Sequence, residues 1–173
     1  MARKYVYSFG AGRAEGDGSM RALLGGKGAG LMEMTRIGLP VPAGFVLTTD
    51  LCRCWPAIRE CEDLRRELRE RIGAQIERLE RVTGLGFGDP ERPLLLSVRS
   101  GSAISMPGLL DTFLDVGISA EIAEGLAVHR ESPWGAWDAY RRFLQFWGMG
   151  HGIERDRFDG LMRALKAEAG VHR

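Results

Sequence analysis

The segment from Leu94 to Gly108 is the sequence feature that most limits what this chain can fold into. Leu94–Val98 is a short apolar run with a turn-forming segment on each side, which is typical of a short buried strand. The run leads directly to Arg99 and then into a loop of small residues that ends with Pro107-Gly108. A fixed cation therefore stands at a strand end, beside backbone that a ligand can approach closely.

A second glycine-rich turn lies upstream, in the sequence Gly25-Gly26-Lys27-Gly28-Ala29-Gly30. The apolar residues that follow predict a helix over Gly28–Ile37, stopped by Gly38. A helix N-terminus exposes unpaired N–H groups and the positive end of the helix dipole, which suits an anion. The glycine-rich turns also allow N–H groups to converge on phosphate oxygens.

Each of these two loops carries one cation. Lys27 would contribute a mobile point charge, whereas Arg99 could bind two oxygens with its planar fork. The pattern predicts a site for phosphate groups. The alternative is a helix entered through a glycine turn, with Lys27 solvated and Arg99 in an ordinary ion pair.

Two common phosphate-binding fingerprints are absent from the sequence. A P-loop would need glycine where Arg21 stands, and Ser or Thr where Gly28 stands. No glycine triplet fits G-x-G-x-x-G. A phosphate site in this chain would therefore have to be of another kind.

Hydrophobic periodicity outlines the rest of the fold. Segments rich in β-forming residues predict strands at Lys4–Phe9, Phe45–Thr48 and Thr112–Val116. Apolar residues at spacings of three and four predict a long helix over Cys61–Val82. From Ser119 onward the pattern is helical and strongly aromatic.

We therefore expect an α+β fold, in which a small, mostly antiparallel sheet carries packed helices and is followed by a C-terminal helical extension. The expected domains are an α/β nucleotide-binding subdomain over residues 1–117 and a helical extension over residues 118–173.

Length, charge and hydropathy exclude several classes of protein. The 173 residues are enough for one domain with a real core. A formal charge of +1 argues against a nucleic-acid binder that acts through bulk electrostatics. No window approaches about 18 consecutive apolar residues, so no membrane span is expected. The apolar run at Tyr5–Phe9 is too short for a signal peptide, and we predict a cytoplasmic chain.

The sequence does not predict a metal site. Cys52, Cys54 and Cys61 are an odd number without a second ligand cluster, so buried free thiols are favoured over a metal site. Asp17, Asp111 and Asp115 could be considered as magnesium ligands. Asp111 is better explained as a residue that ties its own loop, and Asp115 as a solvent-facing residue of an alternating strand.

Six segments resemble, in order, the N-terminal end of the nucleotide-binding domain of the pyruvate, phosphate dikinase family. They are Tyr5–Gly10, Gly25–Met34 (GGKGAGLMEM), Gly38–Thr49 (GLPVPAGFVLTT), Gly86–Gly101 (GFGDPERPLLLSVRSG), Ser105–Gly117 (SMPGLLDTFLDVG) and Tyr140–Phe146 (YRRFLQF). The related phosphoenolpyruvate synthases share the Lys and Arg motifs but differ around the loop that reads Ser-Met-Pro-Gly here. That loop favours the dikinases.

The resemblance implies a fold like the N-terminal subdomain of ATP-grasp proteins, with ATP and magnesium as cofactors. In the family, the residues matching Lys27 and Arg99 contact ATP phosphates, and the loop matching Gly101–Gly108 lies over the transferring phosphoryl group. The candidate nucleotide-binding residues are Gly26, Lys27, Gly28, Arg99, Ser100, Gly101, Ser105 and Gly108. The complete enzymes convert ATP, pyruvate and phosphate to AMP, phosphoenolpyruvate and diphosphate through a phosphohistidine.

Two positions depart from the family's pattern. Gly30 stands where the family usually has Asn, and Ala103 stands where many members carry a basic residue. Either change is expected to weaken nucleotide binding, although neither touches Lys27 or Arg99.

The sequence lacks counterparts of the family's acidic magnesium ligands, adenine pocket, phosphohistidine domain and pyruvate-binding barrel. None of His129, His151 or His172 lies in the glycine- and threonine-rich setting of the phosphohistidine. We therefore expect the chain to form one wall of an ATP site and to be inactive by itself.

A non-enzymatic interaction module derived from the dikinase fold is the alternative. The aromatic residues that motivate it are Trp134, Trp137, Phe143, Phe146 and Trp147. If exposed, they would favour self-association or binding of the missing dikinase domains. If they pack together, they simply form a small core.

Overall fold

A computed structural model of the protein describes residues 4–100, 112–129 and 133–171. Their elements run in the order β1 (Val6–Phe9), α1 (Arg21–Arg36), β2 (Gly44–Leu47), α2 (Thr49–Glu60), α3 (Glu62–Thr83), β3 (Leu96–Arg99), β4 (Thr112–Val116), α4 (Ala120–His129), α5 (Pro133–Gly150) and α6 (Arg155–Glu168). The predicted α+β class is confirmed. The described strands form two separate two-stranded sheets, β1 with β2 and β3 with β4, rather than one sheet.

The chain divides into two compact units. The first contains described residues from 4–87 together with Arg99 and Ser100, and the second contains 88–98, 112–129 and 133–171. These units do not coincide with the predicted division into residues 1–117 and 118–173. The difference arises because β4 packs on α5, where the Phe113 and Trp147 rings lie 5.7 Å apart.

The first unit is built on an antiparallel hairpin covered by α1. β1 pairs with β2 in a register that sets Val6 opposite Leu47 and Phe9 opposite Gly44. The ring of Phe9 lies over Gly44, where a Cβ would stand 2.4 Å from the ring. The core that joins α1 to the hairpin consists of Phe9, Leu24, Ala29 and Met32.

Two helices, α2 and α3, complete the first unit. The predicted helix over Cys61–Val82 is confirmed as α3 and ends at Gly84, whose φ of 69° is the left-handed conformation of a helix C-cap. α2 was not predicted from the sequence. Pro56 inside α2 is the reason, since proline ordinarily marks the end of a helix.

The second unit packs helices around Ile118, Ile122 and Ala123. The predicted strand Thr112–Val116 is confirmed as β4, and the predicted helical pattern after Ser119 is confirmed as α4, α5 and α6. α6 contributes no buried residue. Among the described residues, none of the helices is both long and apolar enough to cross a lipid bilayer.

Candidate phosphate-binding site

A break inside α1 creates the predicted glycine turn. The helix begins at Arg21, earlier than the predicted start at Gly28, but Gly25 has φ 70° and ψ 165°, which no helical residue adopts. This backbone region is open essentially to glycine alone. Gly25 is also buried. A second helical segment therefore starts after Gly25, and its first N–H groups lack helical acceptors.

Gly26 and Gly28, which follow the break, have different surroundings. A Cβ on Gly26 would meet no atom within 4 Å, so the backbone there is open to approach. A Cβ on Gly28 would lie 3.0 and 3.1 Å from the two methyl groups of Val46. Gly28 therefore allows α1 to pack closely on β2. Lys27, the residue before it, is exposed on the first turn after the break.

The structure brings Lys27 to Ser100, the residue that follows Arg99. The Lys27 ammonium donates a hydrogen bond to the backbone carbonyl of Ser100, with Nζ and O 3.4 Å apart. The two residues are 73 positions apart in sequence and lie in the same compact unit. Arg99, the last residue of β3, is the immediate neighbour of this contact and is exposed.

No carboxylate among the described residues neutralises the two cations of this candidate site. Within residues 4–100, 112–129 and 133–171, neither Lys27 nor Arg99 forms an ion pair. The alternative of an ordinary ion pair at Arg99 is therefore not observed among these residues. Gly101, Ser105 and Gly108 of the predicted site lie outside the described residues.

Two glutamates hold the loop between β1 and α1, and no sequence motif indicated this role. Glu15 accepts hydrogen bonds from the Ser8 backbone N–H at 2.6 Å, the Ser8 hydroxyl at 2.7 Å and the Lys4 ammonium at 2.7 Å. Partial burial acts to raise the pKa of Glu15, but the hydrogen bonds from Lys4 and Ser8 outweigh it and lower the pKa to about 2. Glu33 of α1 accepts a hydrogen bond from the Gly18 N–H at 3.0 Å.

The three cysteines do not form a site. They are free, as predicted, but they are exposed rather than buried. Cys52 and Cys54 lie at exposed positions of α2, which buries only Ile58, and Cys61 is exposed between α2 and α3. No group of three or more potential metal ligands occurs in the described part of the chain.

The comparison with protein families matches residues 21–74 to the "Pyruvate phosphate dikinase, AMP/ATP-binding domain". These residues include the whole of α1 with Lys27. The chain is 43% identical over 168 residues to the pyruvate, phosphate dikinase of Rhizobium meliloti, which covers 96% of this chain and 18% of that protein. It is 43% identical over 172 residues to the chloroplastic enzyme of Flaveria trinervia, with 99% and 18% covered.

A third relative matches the chain with similar identity and coverage. The pyruvate, phosphate dikinase of Clostridium symbiosum is 42% identical over 170 residues, which are 98% of this chain and 19% of that protein. The chain thus spans less than a fifth of the length of these curated relatives and matches their N-terminal end. The resemblance predicted from the sequence is confirmed.

Proposed function

From its similarity to the N-terminal, AMP/ATP-binding end of the pyruvate, phosphate dikinases, we propose that this chain binds the phosphate groups of ATP. The observation that carries the proposal is the contact between the Lys27 ammonium and the Ser100 carbonyl. It links the segment after the break in α1 to the residue that follows Arg99, which supports a shared site for Lys27 and Arg99. Among the predicted residues, the binding set is Gly26, Lys27, Gly28, Arg99 and Ser100.

The chemistry of these groups fits a polyphosphate. Phosphoryl transfer depends mainly on positioning and charge neutralisation, which cations and backbone N–H groups supply. Lys27 provides a point charge and Arg99 a planar fork for two oxygens. The N–H groups at the helix start after Gly25 add the favourable dipole end. Among the described residues neither cation has a carboxylate partner, so none of these ion pairs competes with a phosphate.

The resemblance extends the proposal beyond these residues. The fold is proposed to be of the ATP-grasp type, and the loop with Gly101, Ser105 and Gly108 is proposed to cover the transferring phosphoryl group. Magnesium would accompany ATP as its counter-ion. The described residues offer no cluster of acidic ligands for it, so it would be held by the phosphates rather than by this part of the chain.

The reaction of the complete dikinases is a separate matter. We expect these 173 residues, taken alone, not to convert ATP, pyruvate and phosphate to AMP, phosphoenolpyruvate and diphosphate. No histidine of the sequence lies in a glycine- and threonine-rich segment that would suit a phosphohistidine. The proposed role is therefore binding of the nucleotide, not turnover.

Calorimetric titration with ATP and magnesium tests the proposal. Lys27→Ala and Arg99→Ala should each weaken binding at least tenfold, which corresponds to about 1.4 kcal/mol. Lys166→Ala on α6 and Arg53→Ala on α2 are matched controls, since each removes one cation that is not in the proposed site. Both controls should bind ATP like the unaltered chain.

Two results would overturn the assignment. One is the absence of saturable binding by the folded, unaltered chain. The other is an ATP affinity that the substitutions of Lys27 and Arg99 leave unchanged.

A second candidate function is that of a non-enzymatic interaction module. The observation that favours it is a set of exposed apolar side chains on α5 and α6, with Trp134 85%, Leu161 62% and Leu165 58% exposed. Exposed apolar surface favours association. Light scattering over a wide concentration range tests this candidate, and a monomer throughout would argue against self-association.

A further inference from the structure

The hydroxyl of Thr49 contacts the backbone of α1 just before its break. Thr49 is the first residue of α2, and its Oγ1 donates a hydrogen bond to the carbonyl of Ala22 at 2.7 Å. The two residues are 27 positions apart in sequence. Thr49 therefore ties the start of α2 to the short helical segment that precedes Gly25.

The Ala22 carbonyl lies one helical turn before Gly26, at the break in α1. In an uninterrupted α-helix this carbonyl would accept the N–H of Gly26, four residues later. The dihedral angles of Gly25 interrupt that ladder. A carbonyl left without its helical donor is a cost unless another donor replaces it, and the Thr49 hydroxyl is that donor.

The preceding residue, Thr48, also carries a hydroxyl but does not make this hydrogen bond. Thr48 is fully buried, but its hydroxyl has no hydrogen-bond partner in the described part of the chain and does not cap α2. Two adjacent hydroxyl groups thus stand at the start of α2, and only the second reaches the backbone of α1. Thr48 provides a matched comparison within the same turn.

We propose that Thr49 is a positioning residue that keeps α1 broken at Gly25 and thereby keeps the N–H of Gly26 available to a nucleotide phosphate. The proposal rests on the proposed function, because the phosphate is that of the nucleotide bound beside Lys27. Without the Thr49 hydroxyl, the Ala22 carbonyl is open to the Gly26 N–H, and a continuous helix would withdraw that group from the site.

Three substitutions separate this role from a general effect on folding. Thr49→Val keeps the shape of the side chain and removes the donor, whereas Thr49→Ser keeps the hydroxyl. Thr48→Val removes the neighbouring hydroxyl, which makes no hydrogen bond. We expect Thr49→Val to weaken ATP and diphosphate binding about fivefold to tenfold. Thr49→Ser and Thr48→Val should stay within about twofold of the unaltered chain.

A second measurement reports directly on whether α1 is broken at Gly25. The amide resonance of Gly26 in the unliganded protein reports whether its N–H forms a helical hydrogen bond. Thr49→Val should move this resonance, and Thr49→Ser and Thr48→Val should leave it in place. Gly25→Ala, which disfavours the positive φ at the break, should move it in the same direction. Lys27→Ala should weaken binding without giving the Gly26 N–H a helical hydrogen bond.

The outcomes distinguish the inference from the proposed function. If the unaltered chain binds ATP and Thr49→Val binds equally well, the inference is wrong. It is also wrong if Thr49→Ser loses as much affinity as Thr49→Val, or if the Gly26 amide does not respond to Thr49→Val. If the unaltered chain binds no nucleotide, the proposed function fails, while the Gly26 amide still decides whether Thr49 maintains the break. Thermal melting of each variant checks folding, and Thr49→Ala replaces Thr49→Val if the latter does not fold.

Discussion

Thr48 and Thr49 are adjacent residues whose hydroxyl groups differ in their hydrogen bonding. The hydroxyl of Thr49 donates to the Ala22 carbonyl, whereas that of Thr48 is buried without a partner. A buried polar group without a hydrogen bond destabilises the fold, because it loses its bonds to water and gains none. Adjacent side chains of the same type can therefore make opposite contributions to the free energy of unfolding.

Thr48→Val is expected to stabilise the protein by about 1 kcal/mol, because a methyl group replaces a buried hydroxyl that has no partner. Urea denaturation at neutral pH measures the free energy of unfolding. Thr49→Val is the comparison, and it should lower that free energy. A lower free energy of unfolding for Thr48→Val would show that its hydroxyl has a partner after all.

Glu15 should make the stability of the fold depend on pH in the acid range. Its pKa is lowered to about 2 in the folded protein, so its contribution is present above the ordinary value of 4.5 and is lost as pH falls toward 2. Glu15→Gln should cost about 1–2 kcal/mol at pH 7, a figure reduced for screening because the side chain is 43% exposed.

The measurement for Glu15 is the free energy of unfolding between pH 7 and pH 2. The Glu15→Gln variant should lose less stability than the unaltered chain as the pH falls from 4.5 to 2. Glu60→Gln, which alters an exposed carboxylate at the end of α2, is the control and should follow the unaltered chain. Parallel curves for Glu15→Gln and the unaltered chain would contradict the role assigned to Glu15.

At the scale of elements, α1 combines a structural and a proposed binding role in one helix. Its buried residues pack on the β1–β2 hairpin, and the exposed turn after its break carries Lys27. The sequence predicted this helix, but not its earlier start at Arg21 or its break. Glycine at position 25 is compatible with a turn, a helix start or a kink, and only packing decides among them.

Gly28→Ala should destabilise the protein by about 1–3 kcal/mol, because the added Cβ would lie 3.0 Å from Val46 and 3.3 Å from the Leu24 Cβ. Gly73→Ala in α3 is the control. A Cβ there meets nothing within 4 Å, so this change should stabilise the helix by about 0.5–1 kcal/mol. Thermal melting compares the two, and equal shifts would show that Gly28 is not tightly packed.

Other elements show where sequence reasoning reaches its limit. β4 and α3 were predicted closely, because alternation and helical spacing are local signals. α2 was missed because Pro56 resembles a helix end. The contacts of Glu15 and Thr49 join a side chain to backbone seven and 27 residues away, and such contacts leave no periodic pattern to detect.

At the scale of the whole molecule, composition and motifs predicted the class of fold and the relatives, but not how the chain divides. β4 belongs with the helices that follow it, because the Phe113 ring packs on Trp147. Of the predicted site, the structure joins Lys27 to Ser100. The contact between Lys27 and Ser100 joins residues far apart in sequence. The two motifs indicated it only indirectly, because each has a cation and glycines that suit a phosphate.

The break in α1 also bears on how the glycine motif would change over evolutionary time. Gly25 and Gly28 would be retained by selection on folding alone, since one needs a positive φ and the other touches Val46. Gly26 and Lys27 are exposed, so packing places no such demand on them. If a related protein no longer bound nucleotides, Gly26 and Lys27 would be the first of the four to be substituted. The residues at these two positions therefore indicate whether selection for nucleotide binding has continued.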